Sequence, residues 1–508
     1  METRRRHCWE CSRRRLVCDS TRPECTRCAE NGVQCPGYGD AQPFQLRWLA
    51  PGKINSRNRR RGAKHEGLPT PPPRECPGTS SPDEAKEAPP ENMLSPHVMK
   101  TDADALWQAI EYFNTRMYPD MSIVNELGPN YPVHSLSREI IQAGVARPDY
   151  LRLNLICVTL NHRLNRAKDN TQAKFLSRIF YNYRGRILRS LNGDLDIEQK
   201  RNSDHMIAGI LAFALADAHQ GESPLWRAHL QGVQRLISLR GGVRALASSD
   251  TSLPMVLCYV YITVIGDTTS PACNLTMASP LLEELDPILQ RFDNSNYGFN
   301  YIPWPVFVGI FKINQLRAQA FTTLFTPRDD GGPTEAEWDT LIESAHETLS
   351  RIRSFDPHQW SQSKPSAKHD WEVLARVYQA AAVLYCISSL QSVSVLPDDE
   401  SIHMIRTTNR HLLQVFLQQA MLSRRIRGFL LWSTVVLGME AVHGDSMMRD
   451  WVKEQLKVLQ YAVASYVPIM AKGLLERFWA SGSSSWDACF DKPYALATQP
   501  TVSRAQLK

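Results

Sequence analysis

Six of the chain's twelve cysteines fall between positions 8 and 35, as Cys8-x2-Cys11-x6-Cys18-x6-Cys25-x2-Cys28-x6-Cys35. Two identical half-motifs, C-x2-C-x6-C, are joined by a six-residue connector. At a cysteine frequency of about 2.4%, this pattern arises by chance with a probability on the order of 10⁻¹⁰ per start position, so the spacing reflects a chemical requirement. Clustered thiols in a reducing compartment are metal ligands more often than disulfides. A closed structural zinc site takes four ligands. Six thiolates can fill one such site and leave two sulfurs idle, or they can serve two Zn²⁺ ions if two sulfurs bridge. The internal repeat favours the pair of ions, with each half supplying the same three ligands. A RING or LIM arrangement needs eight ligands at other spacings, and the spacing of His7 suits neither alternative.

The elements that position these sulfurs cannot be held by apolar burial. Between Cys8 and Cys35 the larger apolar side chains are only Trp9, Leu16, Val17 and Val33. Zinc has to supply the missing stability, about 10 kcal/mol per structural site in metal-dependent peptides. The head is therefore expected to be unfolded without metal.

Charge follows the cysteines. Of the 58 basic and 52 acidic residues, 15 and 6 lie in positions 1–64, a net of +9, and the remaining 444 residues carry a net of −3. A short basic head of this kind meets a polyanion. Six thiolates and two Zn²⁺ would reduce the +3 of residues 1–35 to about +1, so the charge is placed rather than diffuse. Arg13, Arg14 and Arg15 follow Cys11 directly, where one helical turn would present them outward, and Arg57, Arg59, Arg60, Arg61 and Lys64 form a second tract.

The spacing, the basic run after the second cysteine, Cys18-Asp19, Pro23 in the connector and the ending Cys35-Pro36-Gly37-Tyr38 resemble the fungal binuclear zinc-cluster transcription factors. The resemblance covers residues 8–38. It implies two short helices around two zinc ions, with Cys8 and Cys25 bridging. It also implies reading of short G·C-rich triplets, often CGG, in the major groove from the end of the first helix. The family's base-contacting position falls on Arg15, preceded by Arg14. The chain departs from the family pattern at Ser12 and Val17, which are usually basic, and at Arg15, which is more often Lys. Arginine can grip guanine O6 and N7 with two donors, so base reading is retained. The missing basic groups at 12 and 17 would weaken phosphate anchoring.

Residues 36–100 hold 12 of the 32 prolines, including Pro71-Pro72-Pro73 and Pro89-Pro90. Such a segment cannot offset the entropy of folding and is expected to be disordered. Its proline density leaves no heptad repeat, so a coiled coil directly after the cluster is not expected. The Arg57–Arg61 tract suits both nuclear import and phosphate contact.

From residue 101 the pattern turns helical. Leu106, Ile110, Phe113 and Met117 form one stripe, which Pro119 should stop, and Phe175, Ile179, Phe180, Tyr183 and Ile187 form another. Ser223-Pro224 reads as an N-cap and first-turn proline for a helix carrying Trp226, Leu230, Val233 and Ile237, which Gly241-Gly242 ends. Further helices are expected over 203–219, 253–266, 305–321, 335–353, 369–390, 401–421, 427–443 and 446–466. The longest apolar run, residues 253–265, is shorter than the roughly 18 residues of a bilayer span, so no membrane partner is expected. Arg4-Arg5-Arg6 has no apolar stretch behind it, which argues against a secretory signal.

The sequence contains no glycine-rich phosphate loop, no H-E-x-x-H and no G-x-S-x-G, so no catalytic residue is assigned and an enzyme is not expected. His205, His219 and His229 are read as structural. Cys76, Cys157, Cys258, Cys273, Cys386 and Cys489 are read as buried apolar residues, and Trp226, Trp432 and Trp486 as core anchors.

Trp226-x2-His229-Leu230 through Arg240-Gly241-Gly242, Leu431-Trp432 with Gly438-x-Glu440-Ala441, and Trp486-Asp487 with Phe490-Asp491-x-Pro493 resemble the regulatory domain of fungal-specific transcription factors. The resemblance spans about 110–495 and implies a helical bundle or solenoid that regulates the activator. The expected architecture is a small binuclear zinc-cluster module plus a large all-α regulatory domain, joined by a disordered Pro-rich linker. The boundaries are 1–40 for the zinc cluster, 41–100 for the linker, 101–495 for the regulatory domain and 496–508 for a tail. The expected function is sequence-specific DNA binding by an RNA polymerase II transcription factor in the nucleus, controlling a metabolic or drug-response gene set. Double-stranded DNA and coregulators or transcription machinery are the expected partners. A homodimer and a small-molecule effector gating DNA binding are the further alternatives.

Overall fold

A computed structural model describes Cys8, Cys11, residues 18–21, 24–33, Cys35, 101–128, 133–167, 170–219, 225–249, 251–276, 301–325, 335–444 and 446–496. The chain divides into two compact units, Met1–Pro89 and Pro90–Lys508. The linker reading and the Ser223-Pro224 cap lie outside the described residues.

In the first unit the described helix is Thr26–Glu30. Cys25 caps it, its sulfur accepting from the Cys28 N–H. Gly32, at φ 63°, turns the chain out of the helix, and the Val33 N–H returns to the Cys28 carbonyl.

The second unit contains helices and, among its described residues, no strand. Local chemistry sets several helix starts. Thr101 and Asp104 form a reciprocal capping box for Asp102–Tyr112. Ser137, Asp356 and Asp399 cap Arg138–Val145, Pro357–Gln362 and Glu400–Leu422.

Two helices form the centre. Leu253–Thr268 is buried at every position, and Lys368–Gln391 is buried along nearly its whole length. A helix apolar on all sides belongs inside other helices. Lys368–Gln391 is surrounded by Trp304–Phe325, Glu335–Ser354, Pro357–Gln362, Glu400–Leu422 and Leu431–Glu440. By length and composition this central helix could cross a membrane, yet 89% of its apolar window is buried inside the protein. An antiparallel pair, Asp149–Arg166 and Asn170–Leu195, covers another side and packs on Asp204–His219.

Several expectations need correction. Pro119 does not stop the first stripe: Asp102–Tyr112 continues through a π turn, Phe113–Met117, into Tyr118–Met121. The wider turn relieves the clash a proline ring makes with the carbonyl four residues earlier, and Pro119 sits in the first turn of the segment that follows, where its missing N–H costs little. Gly241, at φ 92°, does end Leu225–Leu239, but Gly242 at once starts the short helix Gly242–Ala247. The expected helix over 427–443 is a 3₁₀ turn, Arg427–Phe429, followed by Leu431–Glu440. Asp149–Arg166 and Val467–Ser481 were not expected. The first buries Asn154, Thr159 and Asn161 on its inner face, which breaks the apolar period.

Candidate metal centre and nucleic-acid interface

The six-cysteine head brings its sulfurs together as two overlapping sets of four. Cys8, Cys11, Cys18 and Cys25 have all sulfurs within 4.8 Å of one another, and so do Cys8, Cys25, Cys28 and Cys35. Both sets contain Cys8 and Cys25, whose sulfurs are 3.5 Å apart. The Cys8–Cys28 and Cys11–Cys25 sulfur distances are each 3.7 Å. A tetrahedral site with Zn–S bonds of about 2.3 Å places its sulfurs about 3.8 Å apart, whereas a disulfide needs about 2.05 Å. The cysteines are free, and their spacing matches the edge of a zinc tetrahedron.

Burial adds a second indication. Cys8 and Cys25 are fully enclosed, Cys11, Cys18 and Cys28 nearly so, and Cys35 is partly exposed. Desolvation pushes the Cys8 and Cys11 thiols up, and carries Cys28 to about 12. Buried sulfurs this close cannot ionise together unless cations sit among them. Backbone N–H groups of Cys8, Cys11 and Cys28 point at the sulfurs of Cys18, Cys8 and Cys25. Such N–H···S contacts favour the thiolate and fix its direction. The donor set therefore fits two Zn²⁺ ions sharing two sulfurs.

Asp19, which the sequence showed only as half of the Cys18-Asp19 pair, is a supporting residue. Its carboxylate accepts from the Thr26 N–H at 3.1 Å and from the Thr21 and Thr26 hydroxyls. It ties the residue after Cys18, in the first half-motif, to the first turn of the helix in the second. These donors, Thr21 first and then Thr26, hold its carboxyl well below the usual carboxylate range. The only signal for it was Cys18-Asp19, because the hydroxyl partners become visible only when the chain folds back.

The two halves repeat in ligands but not in charge. The positions two to four after Cys11 are Arg13, Arg14 and Arg15; the corresponding positions after Cys28 are Glu30, Asn31 and Gly32. The basic run that follows Cys11 has no counterpart after Cys28, and Arg27 is the arginine of the second half. Arg13, Arg14, Arg15, Arg57, Arg59, Arg60 and Arg61 lie outside the described residues.

A family model for the fungal Zn(2)-Cys(6) binuclear cluster domain matches residues 6–43, and one for the fungal specific transcription factor domain matches residues 109–494. The chain belongs to the fungal Zn(2)-Cys(6) transcription factors. Its cofactor is a pair of Zn²⁺ ions, and its head is a DNA-binding domain. The chain is 37% identical, over 99% of its own length and 91% of the relative's, to a phomenoic acid biosynthesis cluster-specific transcriptional regulator of Leptosphaeria maculans. Over 43 residues, 8% of this chain and 7% of the relative, it is 46% identical to acriflavine sensitivity control protein acr-2 of Neurospora crassa. No solved structure matches the chain.

In the regulator's helical domain, the residues weighed for chemistry have structural partners. His219 is buried and its Nδ1 lies 2.7 Å from the Ser465 hydroxyl. His229 Nε2 is 3.2 Å from the buried carboxylate of Asp217, which also takes two hydrogen bonds of 2.7 Å from Arg184. His205 contacts Arg147. Trp226, Trp432 and Trp486 are buried, and the last two donate to the Thr268 hydroxyl and carbonyl, both at 2.9 Å. Cys157, Cys258, Cys386 and Cys489 are buried as expected, whereas Cys273 is exposed on the turn Ala272–Asn274. Cys76 lies outside the described residues.

Proposed function

We propose that Cys8, Cys11, Cys18, Cys25, Cys28 and Cys35 hold the two zinc ions with Cys8 and Cys25 bridging. The metal core then presents Arg14 and Arg15 to base edges of a short G·C-rich, CGG-like triplet in the major groove, with Arg13 on the flanking backbone. Arg57, Arg59, Arg60 and Arg61 add phosphate contacts. The observation that carries this reading is the sharing of the same two sulfurs by both four-sulfur sets. It is the arithmetic that two closed tetrahedral sites require of six ligands.

Residues 1–40 act as the DNA-binding head, 41–100 as a basic and then proline-rich tether, and 101–495 as the regulatory domain through which coregulators or the transcription machinery are engaged in the nucleus. The full-length likeness to a cluster-specific regulator supports a target set consisting of a biosynthetic gene cluster. Selection of bound duplexes from a random pool by the zinc-loaded chain tests the reading. A recovered G·C-rich triplet, with affinity for it reduced by about 1–3 kcal/mol in Arg15→Ala, supports it. Recovery of no preferred sequence, or an unaltered affinity, overturns it.

A further inference from the structure

The helix Asn170–Leu195 packs one side on Asp149–Arg166 and Asp204–His219 and turns the other to solvent. It carries five basic residues and one acidic residue, although the 444 residues after position 64 have a net charge of −3. Two of its cations are held inside the domain: Arg184 bonds the buried Asp217 carboxylate, and Arg186 bonds Asp102. The one acid, Asp194, is taken by Lys200 at 2.7 Å. Lys174, Arg178 and Arg189 are exposed and form no ion pair with any described residue.

The local sequence explains why these three stay unpaired. On a helix surface a cation meets its carboxylate three or four residues away. Elsewhere on this domain that happens: Arg351 meets Glu347, Arg376 meets Glu372, Lys453 meets Asp450 and Lys457 meets Glu454. Around Lys174, Arg178 and Arg189 no position three or four away is Asp or Glu. Lys174 and Arg178 are instead four residues from each other, a like-charge spacing that works against the helix. An added Cβ at Gly185 would stand 3.7 Å from Arg189 Nη1, so that guanidinium lies back over Gly185. Lys174, Arg178 and Gly185 fall at i, i+4 and i+11, which puts the three charges on one stripe.

The rest of the stripe selects the kind of partner. The other exposed side chains between Asn170 and Arg189 are Asn, Thr, Gln and Tyr, all of which donate hydrogen bonds. None is acidic or aliphatic. Cations mixed with amide and hydroxyl donors are the set that contacts the phosphate oxygens of a duplex. An acidic protein would require an apolar centre, and a membrane surface an apolar face. Tyr181 is the one large hydrophobic side chain exposed in this stretch. From Asn170 to Arg189 the helix rises about 28 Å, the axial length of about eight phosphates on one strand.

We propose that this stripe is a second DNA-contacting surface, carried by the helical domain, that takes the phosphodiester backbone and reads no bases. It rests on the reading of the zinc head only for delivery: a head bound to a duplex raises the effective concentration of that duplex for the tethered domain. Three cations without a base-reading module bind weakly alone and add to an affinity the head has already established.

Fluorescence anisotropy of the full zinc-loaded chain at stepped salt tests the proposal, on one long duplex with the selected triplet and one without it. The triple variant Lys174→Gln, Arg178→Gln, Arg189→Gln should reduce the slope of log affinity against log salt by about 2–3 on both duplexes, and lower affinity at least tenfold at low salt. The preference between the duplexes should stay as in the parent, and so should the thermal melt, because all three side chains are exposed and unpaired. The control Arg351→Gln, Lys453→Gln, Lys457→Gln removes three paired cations and should leave the slope unchanged. An unchanged slope in the first variant overturns the proposal, even where its binding to phosphatidylserine vesicles is lost, which would assign the stripe to a membrane surface. An equal loss in the control also overturns it. Failure of the triplet reading would appear separately, as equal affinity for the two duplexes, while the difference between parent and variant still reports the stripe.

Discussion

Arg317 and Asp487 stand 170 residues apart and join through an Nη2–Oδ1 hydrogen bond of 2.6 Å, with the guanidinium fully buried. Arg317 also donates to the Asp267 and Ser270 carbonyls and the Tyr385 hydroxyl, while Asp487 accepts from the Ala272 N–H and the Ser392 hydroxyl. The pair fastens the last turn of the domain, Asp487–Cys489, to the helix Trp304–Phe325 and to the end of Leu253–Thr268. Removing one partner of a buried pair strands the other charge, at a cost of about 3–5 kcal/mol. Asp487→Ala should therefore lower the thermal midpoint of the helical signal strongly. A melt within error of the parent would show that the pair contributes little.

Acid should weaken the helical domain before its carboxylates titrate. Burial holds the imidazoles of His219 and His162 down at about 4, against about 6.5 in an unfolded chain. Burial also lowers His205 and His443. Between pH 6.5 and 4 the unfolded state binds protons that the folded state refuses, so stability falls as pH falls and is level above about 6.5. At about 1.4 kcal/mol per unit, His219 alone accounts for roughly 3 kcal/mol by pH 4, and the less enclosed His162 for less. His219→Gln, which retains a group able to bond Ser465, should flatten this slope in urea titrations at stepped pH. An unaltered slope would place the effect elsewhere.

Gly266 lies in the middle of the buried helix Leu253–Thr268, where a Cβ would stand 2.7 Å from the indole of Trp226. The glycine is needed for close approach, since its backbone is helical. Gly266→Ala should destabilise by about 1–3 kcal/mol through overpacking. Gly232 is also helical but has nothing within 4 Å of the same position, so Gly232→Ala should stabilise by about 0.5–1 kcal/mol. Equal effects at the two sites in denaturant unfolding would contradict the packing argument.

The signs of these two substitutions illustrate what the sequence could and could not convey. Cysteine spacing narrowed the ligand arithmetic of the head to one four-sulfur site with two sulfurs idle or two sites sharing two sulfurs, and its internal repeat favoured the second, because metal geometry is local and stoichiometric. The helical character of the large domain was equally legible in the stripes at Leu106–Met117 and Phe175–Ile187, where apolar period and burial agree. The reading missed Asp149–Arg166, whose inner face carries Asn154 and Asn161, and mistook Pro119 for a stop because a π turn leaves no trace in residue type. Asp19, Arg317 and Asp487 were invisible as partners. Their roles arise from contacts between segments up to 170 residues apart, which no period along the chain encodes.

Two zinc sites that share the sulfurs of Cys8 and Cys25, as proposed, should lose metal asymmetrically when single cysteines are removed. Cys25 belongs to both four-sulfur sets, whereas Cys35 belongs to one and is the most exposed of the six. Cys25→Ser should disturb both ions and take the bound zinc from two per chain toward zero. Cys35→Ser should leave the set of Cys8, Cys11, Cys18 and Cys25 complete and retain about one. Closed four-ligand coordination is what makes one ligand decisive for two sites. Atomic absorption on the dialysed variants, with thiol counting, reads this difference directly. Equal zinc loss from both variants would mean that the sites are not joined through Cys25.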